Sequence, residues 1–139
     1  MSGISPRIGR GLLSIVALFL AIGTYAFDWN ATHIYNPNWP PHAKFHNGQT
    51  MAMAILLAGV GLYFVWRRKG DARTNLLAGV IVLALYWVSQ GLANLYPGVA
   101  WTDPEFLKPG QSLTDISPQL ILDFVMCGLL AVGWRFARR

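Results

Sequence analysis

Two histidines and a glutamine lie close together in a proline- and aromatic-rich part of the chain. His42 and His46 are four residues apart, and Gln49 follows His46 by three. If Pro41 already belongs to a helix, these side chains share one face of it. Imidazole is the commonest side-chain ligand for biological metals, and neutral histidine suits iron or zinc. The alternative is that both histidines bind water and lipid headgroups at a membrane surface.

A second polar set comprises Tyr86, Gln90 and Asn94, with Ser89 beside it. The spacing of four places the three on one stripe of a helix. Such a stripe can line a pocket that holds a small molecule. Amides and hydroxyls in bilayers also bond across helices, so the same stripe can hold helices together. The spacing does not choose between the two interpretations.

A third set, Asp115, Gln119 and Asp123, again has a spacing of four. Asp123 lies inside an apolar run with no basic residue near it in sequence. A buried carboxylate is protonated, paired or hydrogen-bonded, because burying a free charge is costly. We therefore expect a histidine, an amide, a hydroxyl or a ligand beside Asp123. An ionisable residue within a membrane span is a candidate functional residue by default.

The signatures of common soluble enzymes are absent from the sequence. There is no G-x-S-x-G, no phosphate-binding glycine loop and no H-E-x-x-H. The single cysteine, Cys127, cannot form a disulfide within one chain, and we interpret it as a small buried apolar residue.

The elements that carry these residues are four long apolar runs. The chain has 139 residues, of which 54% are hydrophobic and only 12% are charged. A bilayer-spanning helix needs about 20 mostly apolar residues, and all four runs qualify. The sequence predicts an all-α membrane protein, a single four-helix transmembrane domain over 1–139, with extracytoplasmic loops at 28–40 and 97–114. The predicted helices are 8–27, 41–67, 72–95 and 115–135.

Three details refine this prediction. The first run is not followed by a small-residue cleavage site, so we expect it to be retained as a helix. Proline is tolerated in the first turn of a helix, so Pro40 or Pro41 can begin the second. Thr114 or Asp115 is the predicted cap of the fourth helix.

The distribution of basic residues predicts the orientation. Nine of the eleven Lys and Arg residues lie at the two termini and in the turn between the second and third helices. The opposite side carries only Lys44 and Lys108. Short loops rich in Lys and Arg stay in the cytoplasm. We therefore expect a multi-pass protein of a cell inner membrane with both termini cytoplasmic, and we attribute the net charge of +5 to topology rather than nucleic-acid binding.

The segment KFHNG at 44–48 resembles the opening of the second helix in styrene oxide isomerase, a small four-helix membrane enzyme. The resemblance continues in DARTNLL at 71–77 and GVIVL at 79–83. The polar positions that the family carries further along the second and third helices fall on apolar or small residues here, among them Ala52. The segment 36–49 is also similar to an uncharacterised family of small four-helix membrane proteins.

The resemblance implies a haem b whose iron is ligated by His46, with Asn47 and Gln49 beside the cofactor, in a homotrimer. It also implies that ferric iron acts as a Lewis acid on a small hydrophobic aryl epoxide. The ring opens to a benzylic cation, and a 1,2-hydride shift gives an aldehyde in a dry cavity. The family's own polar positions are not matched, and we predict that four polar residues of the third and fourth helices line that cavity and are catalytic: Tyr86, Gln90, Asn94 and Asp123.

Two other interpretations remain open. In the first, a non-haem metal binds His33, His42 and His46, or His46 and Asp123 carry out acid–base isomerisation of a lipid-like substrate. In the second, the protein is not catalytic, and its polar stripes mediate assembly in the membrane.

Overall fold

Four apolar helices make up most of the computed structural model, which describes residues 4–113 and 115–138. Each is long and apolar enough to cross a bilayer, and the described residues contain no β-strand. The predicted all-α, four-helix membrane fold is confirmed. A short 3-10 helix, Pro104–Phe106, interrupts the last long connection. The helices are α1 (Ile4–Asp28), α2 (Pro41–Trp66), α3 (Ala72–Ala93) and α4 (Pro118–Ala137).

The helices form a closed ring. α1 packs against α2 and α4, and α3 packs against the same two neighbours, whereas α1 and α3 hardly touch. Leucine and valine side chains fill the centre, including the fully buried Leu13, Leu20, Leu83 and Val65. The connections 29–40 and 94–117 both emerge at one end of this ring, which we call the long-loop end.

Local signals explain where the helices begin. α2 begins at Pro41, as predicted. The proline ring fixes the backbone angle φ at a helical value, and the first helical turn does not need the N–H that proline lacks. α3 is capped by Asp71, whose Oδ2 accepts a hydrogen bond from the Thr74 amide at 2.6 Å. This bond lowers the pKa of the Asp71 carboxyl.

The predicted cap of α4 is not the one observed. Thr114 lies outside the described residues, and Asp115 instead accepts a hydrogen bond from the Ser112 amide within the loop. α4 begins at Pro118, and the Ser117 hydroxyl accepts the Gln119 amide at 3.1 Å. A serine followed directly by proline is the stronger start signal, since proline needs no backbone partner at this position. α3 also ends earlier than predicted, at Ala93.

Candidate active site at the long-loop end

A cavity of about 450 Å³ lies between α1, α3 and α4 at the long-loop end. Of the thirteen lining residues, six are aromatic or aliphatic, and six carry polar side chains contributed by α1, the following loop, α3 and the start of α4. Concave, mostly apolar sites with few polar groups are typical of small-molecule binding. The lining residues are Phe19, Gly23, Thr24, Phe27, Asp28, Thr32, His33, Tyr86, Trp87, Gln90, Pro118, Gln119 and Leu122.

Asp28 and His33 face each other at the rim. Asp28 is the last residue of α1, and its Oδ1 lies 3.8 Å from His33 Nε2. Its other oxygen, Oδ2, accepts a hydrogen bond from Asn47 Nδ2 at 2.9 Å. Because Asn47 belongs to α2, this bond fixes the carboxylate from the side away from the cavity. The result is an anchored carboxylate beside an imidazole.

A tight turn after α1 brings His33 back to Asp28. Asn30 Oδ1 accepts hydrogen bonds from both the amide and the hydroxyl of Thr32. The Thr32 hydroxyl lies 2.8 Å from His33 Nδ1, and the Ile34 amide donates to the Asp28 carbonyl. Asparagine favours such turns because its short side chain bonds to the backbone two residues on. The imidazole edge also packs against Trp39, with ring centroids 5.5 Å apart.

The three residues of the predicted stripe on α3 do not all face the cavity, because the helix ends before Asn94. Tyr86 and Gln90 line the cavity, and Tyr86 is buried. Asn94 does not line it: it is exposed at the C-cap of α3, where its amide donates to the Gly91 carbonyl. The stripe therefore contributes two cavity residues and one capping residue.

Asp123 is buried but lies behind the cavity wall rather than on it. It is 5% exposed, and neither carboxylate oxygen has a hydrogen-bond partner among the described residues. A Cβ added at Gly91 of α3 would lie 3.8 Å from its Oδ2, so the carboxyl sits at the α3–α4 contact. Tyr86 and Asp28 both line the cavity, whereas Asp123 does not. Of the α4 set, Gln119 lines the cavity and Asp115 is in the loop.

The histidine pair of α2 lies on the exposed side of that helix, away from the cavity. His42, His46 and Gln49 are exposed, whereas Asn47 is buried and turned toward Asp28. His46 Nε2 lies 3.0 Å from His42 Nε2, and its Nδ1 lies 3.2 Å from Gln49 Oε1. No described residue of α2 lines the cavity. The structure therefore does not bring His46 together with Tyr86, Gln90 or Asp123.

This arrangement does not fit a haem on His46. A porphyrin lies roughly perpendicular to the iron–imidazole bond, so it needs free space around Nε2. The His42 ring occupies that space, with its own Nε2 only 3.0 Å away. The His42 side chain would have to turn away, and a second copy would have to cover the exposed face of α2. Within residues 4–113 and 115–138 no cluster of three or more His, Cys, Asp or Glu side chains could hold a metal ion.

The spacing of residue types did not reveal the Asp28–His33 pair. Asp28 opens the predicted loop at 28–40, and His33 was considered only as a metal ligand. The available signal was a carboxylate closing an apolar span, followed five residues later by a histidine across an Asn-containing turn. That signal is weak, because only the turn geometry makes the two side chains face each other.

The two long connections are tied together above the cavity. Glu105 accepts hydrogen bonds from Asn36 Nδ2 at 2.8 Å and from Asn38 Nδ2 at 2.6 Å. Asp103 accepts the Trp39 indole N–H at 2.8 Å. Asn36 is fully buried. These bonds fix the segment that carries His33.

We expect Glu105→Ala to loosen this segment, because two amides lose a charged acceptor worth about 1.5–3 kcal/mol per bond. A loss of about 1.4 kcal/mol in the free energy of local opening corresponds to roughly tenfold faster amide hydrogen exchange. Exchange mass spectrometry of peptides covering 30–40 measures this. Lys108→Ala, in the same connection, is the control, and equal protection in the two variants would contradict the proposed fastening.

Comparison with known proteins places the chain in a family without assigning an activity. No curated protein and no solved structure matches it. The model of a family of unknown function, DUF6640, matches residues 12–139, which include the cavity, the Asp28–His33 pair and the α2 histidines. Because this match covers nearly the whole sequence, the chain belongs to the DUF6640 family.

Proposed function

We propose that the protein is a membrane-embedded isomerase that transfers a proton within a small, neutral, lipid-like molecule bound in the cavity. The observation that carries this proposal is the pairing of Asp28 with His33 at the rim of a mainly apolar cavity. A carboxylate and an imidazole can take up and return a proton without any further reactant. The acid–base interpretation of the sequence is thus retained, with Asp28 and His33 in place of His46 and Asp123.

The chemistry fits an unsaturated ketone or a related molecule with one oxygen function. One member of the pair removes a proton from the carbon beside the carbonyl, and electrons move into a dienolate. The Tyr86 hydroxyl or the Gln90 amide can donate to the developing oxyanion. The proton then returns to the far carbon of the system, so the double bond has moved and atoms and charge balance.

The cavity also favours a substrate class. The described residues that line the cavity include no Lys and no Arg, and Asp28 supplies negative charge at the rim. An anionic headgroup would therefore be repelled by Asp28 and would meet no permanent cation. The aromatic rings of Phe19, Phe27 and Trp87 suit a hydrophobic body of modest size.

A proton-exchange assay tests the proposal. Purified protein in nanodiscs is incubated in D₂O with a panel of lipid-like β,γ-unsaturated ketones, and mass spectrometry records deuterium uptake and double-bond migration. We expect both to depend on Asp28 and on His33. Uptake that is unaffected by His33→Gln, or absent with every ketone, would count against acid–base isomerisation.

The haem-dependent rearrangement of an aryl epoxide, implied by the resemblance to styrene oxide isomerase, stays a separate prediction. It requires His42 to move away from His46 and a further subunit, such as a homotrimer would provide, to enclose the cofactor. A Soret band in the absorption spectrum of purified protein, lost in His46→Ala, would support it. Conversion of styrene oxide to an aldehyde would establish the activity.

We propose further that both termini and the α2–α3 turn face the cytoplasm of a cell with an inner membrane. The support is the excess of Lys and Arg at the end opposite the long loops. In a Cys127→Ser background, Ala100→Cys should react with a membrane-impermeant maleimide in spheroplasts, and Ala72→Cys only after lysis. Both positions are exposed. The reverse labelling pattern would mean the opposite orientation.

A further inference from the structure

His42 and His46 form a converging pair on the exposed face of α2. Their Nε2 atoms are 3.0 Å apart, their ring centroids are 4.5 Å apart, and the ring planes meet at 79°. A hydrogen bond prefers a nearly straight N–H···N arrangement, with the donor N–H directed along the acceptor lone pair. A straight arrangement would separate the centroids by more than the 4.5 Å observed, so the contact between the two Nε2 atoms is bent. With this geometry both Nε2 atoms can reach one common point beside the helix.

That point has the geometry of a metal position. Zinc–imidazole bonds are about 2.0–2.1 Å long. Two such bonds to nitrogens 3.0 Å apart enclose an angle of about 90° at the ion. We propose that His42 and His46 chelate one divalent transition-metal ion, of the zinc class, through their Nε2 atoms on the outer face of α2.

Neighbouring side chains contact both rings. His46 Nδ1 lies 3.2 Å from Gln49 Oε1, and an amide oxygen can only accept, so this contact favours the tautomer with the proton on Nδ1. The Nε2 lone pair is then free to bind a metal, which is how the second nitrogen of a ligating histidine is usually held. Phe45 lies nearly parallel to the His42 ring, at 10° and 6.1 Å between centroids.

The site is distinct from the cavity. Both histidines are exposed, and the intervening face of α2 is occupied by Asn47, which bonds to Asp28. The remaining coordination positions therefore lie on the exposed side of α2, away from the cavity. The metal would bind outside the proposed reaction, so this inference does not rest on the isomerase proposal. It also accounts for the poor fit of a haem, since the second imidazole lies where the porphyrin would be.

Calorimetric titration of Zn²⁺ into tag-free, chelator-treated protein in detergent tests the proposal. We expect saturable binding that His42→Ala and His46→Ala each weaken at least tenfold. His33→Ala is the matched control and should leave the affinity unchanged, because His33 lies at the cavity rim. No saturable heat with the wild-type chain, or equal weakening by His33→Ala, would overturn the proposal.

Changing Gln49 tests whether its hydrogen bond to His46 prepares that ring for the metal, because Gln49 itself is not a proposed ligand. Loss of such an outer partner commonly weakens metal binding 10- to 100-fold. We expect Gln49→Leu to weaken Zn²⁺ binding at least tenfold and Gln49→Glu to restore it, since a carboxylate also accepts from Nδ1. All three residues are exposed, so these changes should not disturb folding. Unchanged affinity in Gln49→Leu would refute the proposed tautomer.

Discussion

Asp28→Asn is expected to lower isomerase turnover by a factor of about 10² to 10⁴, the range in which a positioned acid or base contributes. The amide has the same shape as the carboxylate, and its oxygen can still accept from Asn47, so the fold should be unaffected. Only the ability to exchange a proton with substrate and with His33 is lost. Initial rates of double-bond migration with a responsive ketone measure the effect.

Asp115→Asn is the matched control for this change. It makes the same chemical substitution at an exposed carboxyl in the loop before α4, away from the cavity lining. We expect its turnover to equal that of the wild-type chain. If Asp28→Asn also keeps full turnover while binding the ketone normally, the carboxylate at the rim is not the acid or base.

Gly9→Ala is expected to cause the largest loss of stability, at the crossing of α1 and α4. A Cβ at this position would lie 2.3 Å from the Ala137 backbone nitrogen and 2.6 Å from the Gly133 carbonyl oxygen. Small residues at membrane helix crossings allow such close backbone approach. Backbone atoms cannot move aside as a side chain can. We therefore expect the free energy of unfolding to fall by about 3 kcal/mol, the upper end of ordinary overpacking.

Gly11→Ala provides the control, because nothing lies within 4 Å of a Cβ added there. Alanine is the better helix former by about 1 kcal/mol, so this variant should be as stable as the wild type or more so. Thermal unfolding in detergent, followed by circular dichroism, compares the two. Equal unfolding temperatures would mean that α1 and α4 separate more easily than the structure indicates.

Asp123 illustrates how tertiary structure changes the role expected from a sequence position. Its burial was predicted from its place in an apolar run, and the structure agrees. Its predicted partner is not seen among the described residues, and the carboxyl faces Gly91 rather than the cavity. It is therefore better described as a buried carboxyl at the α3–α4 contact than as a cavity-lining group.

The amino-acid sequence alone determined the four spans, the proline start of α2 and the placement of basic residues at one end. These follow from chain-local properties: the length of apolar runs, the fixed backbone angle of proline and the charges of short loops. Helical spacing also predicted correctly that Tyr86 and Gln90 share a face. It did not reveal that α3 ends at Ala93, which removes Asn94 from that face.

Only the tertiary structure decided which helix faces enclose the cavity. In a membrane both the lipid-facing and the buried sides of a helix are apolar, so hydrophobic periodicity does not identify the inner face. His46 and Asn47 are neighbours in sequence, yet one is exposed and the other bonds to Asp28 in another helix. The Asp28–His33 pair likewise depends on a loop turn and on contacts from distant segments, which no local pattern specifies.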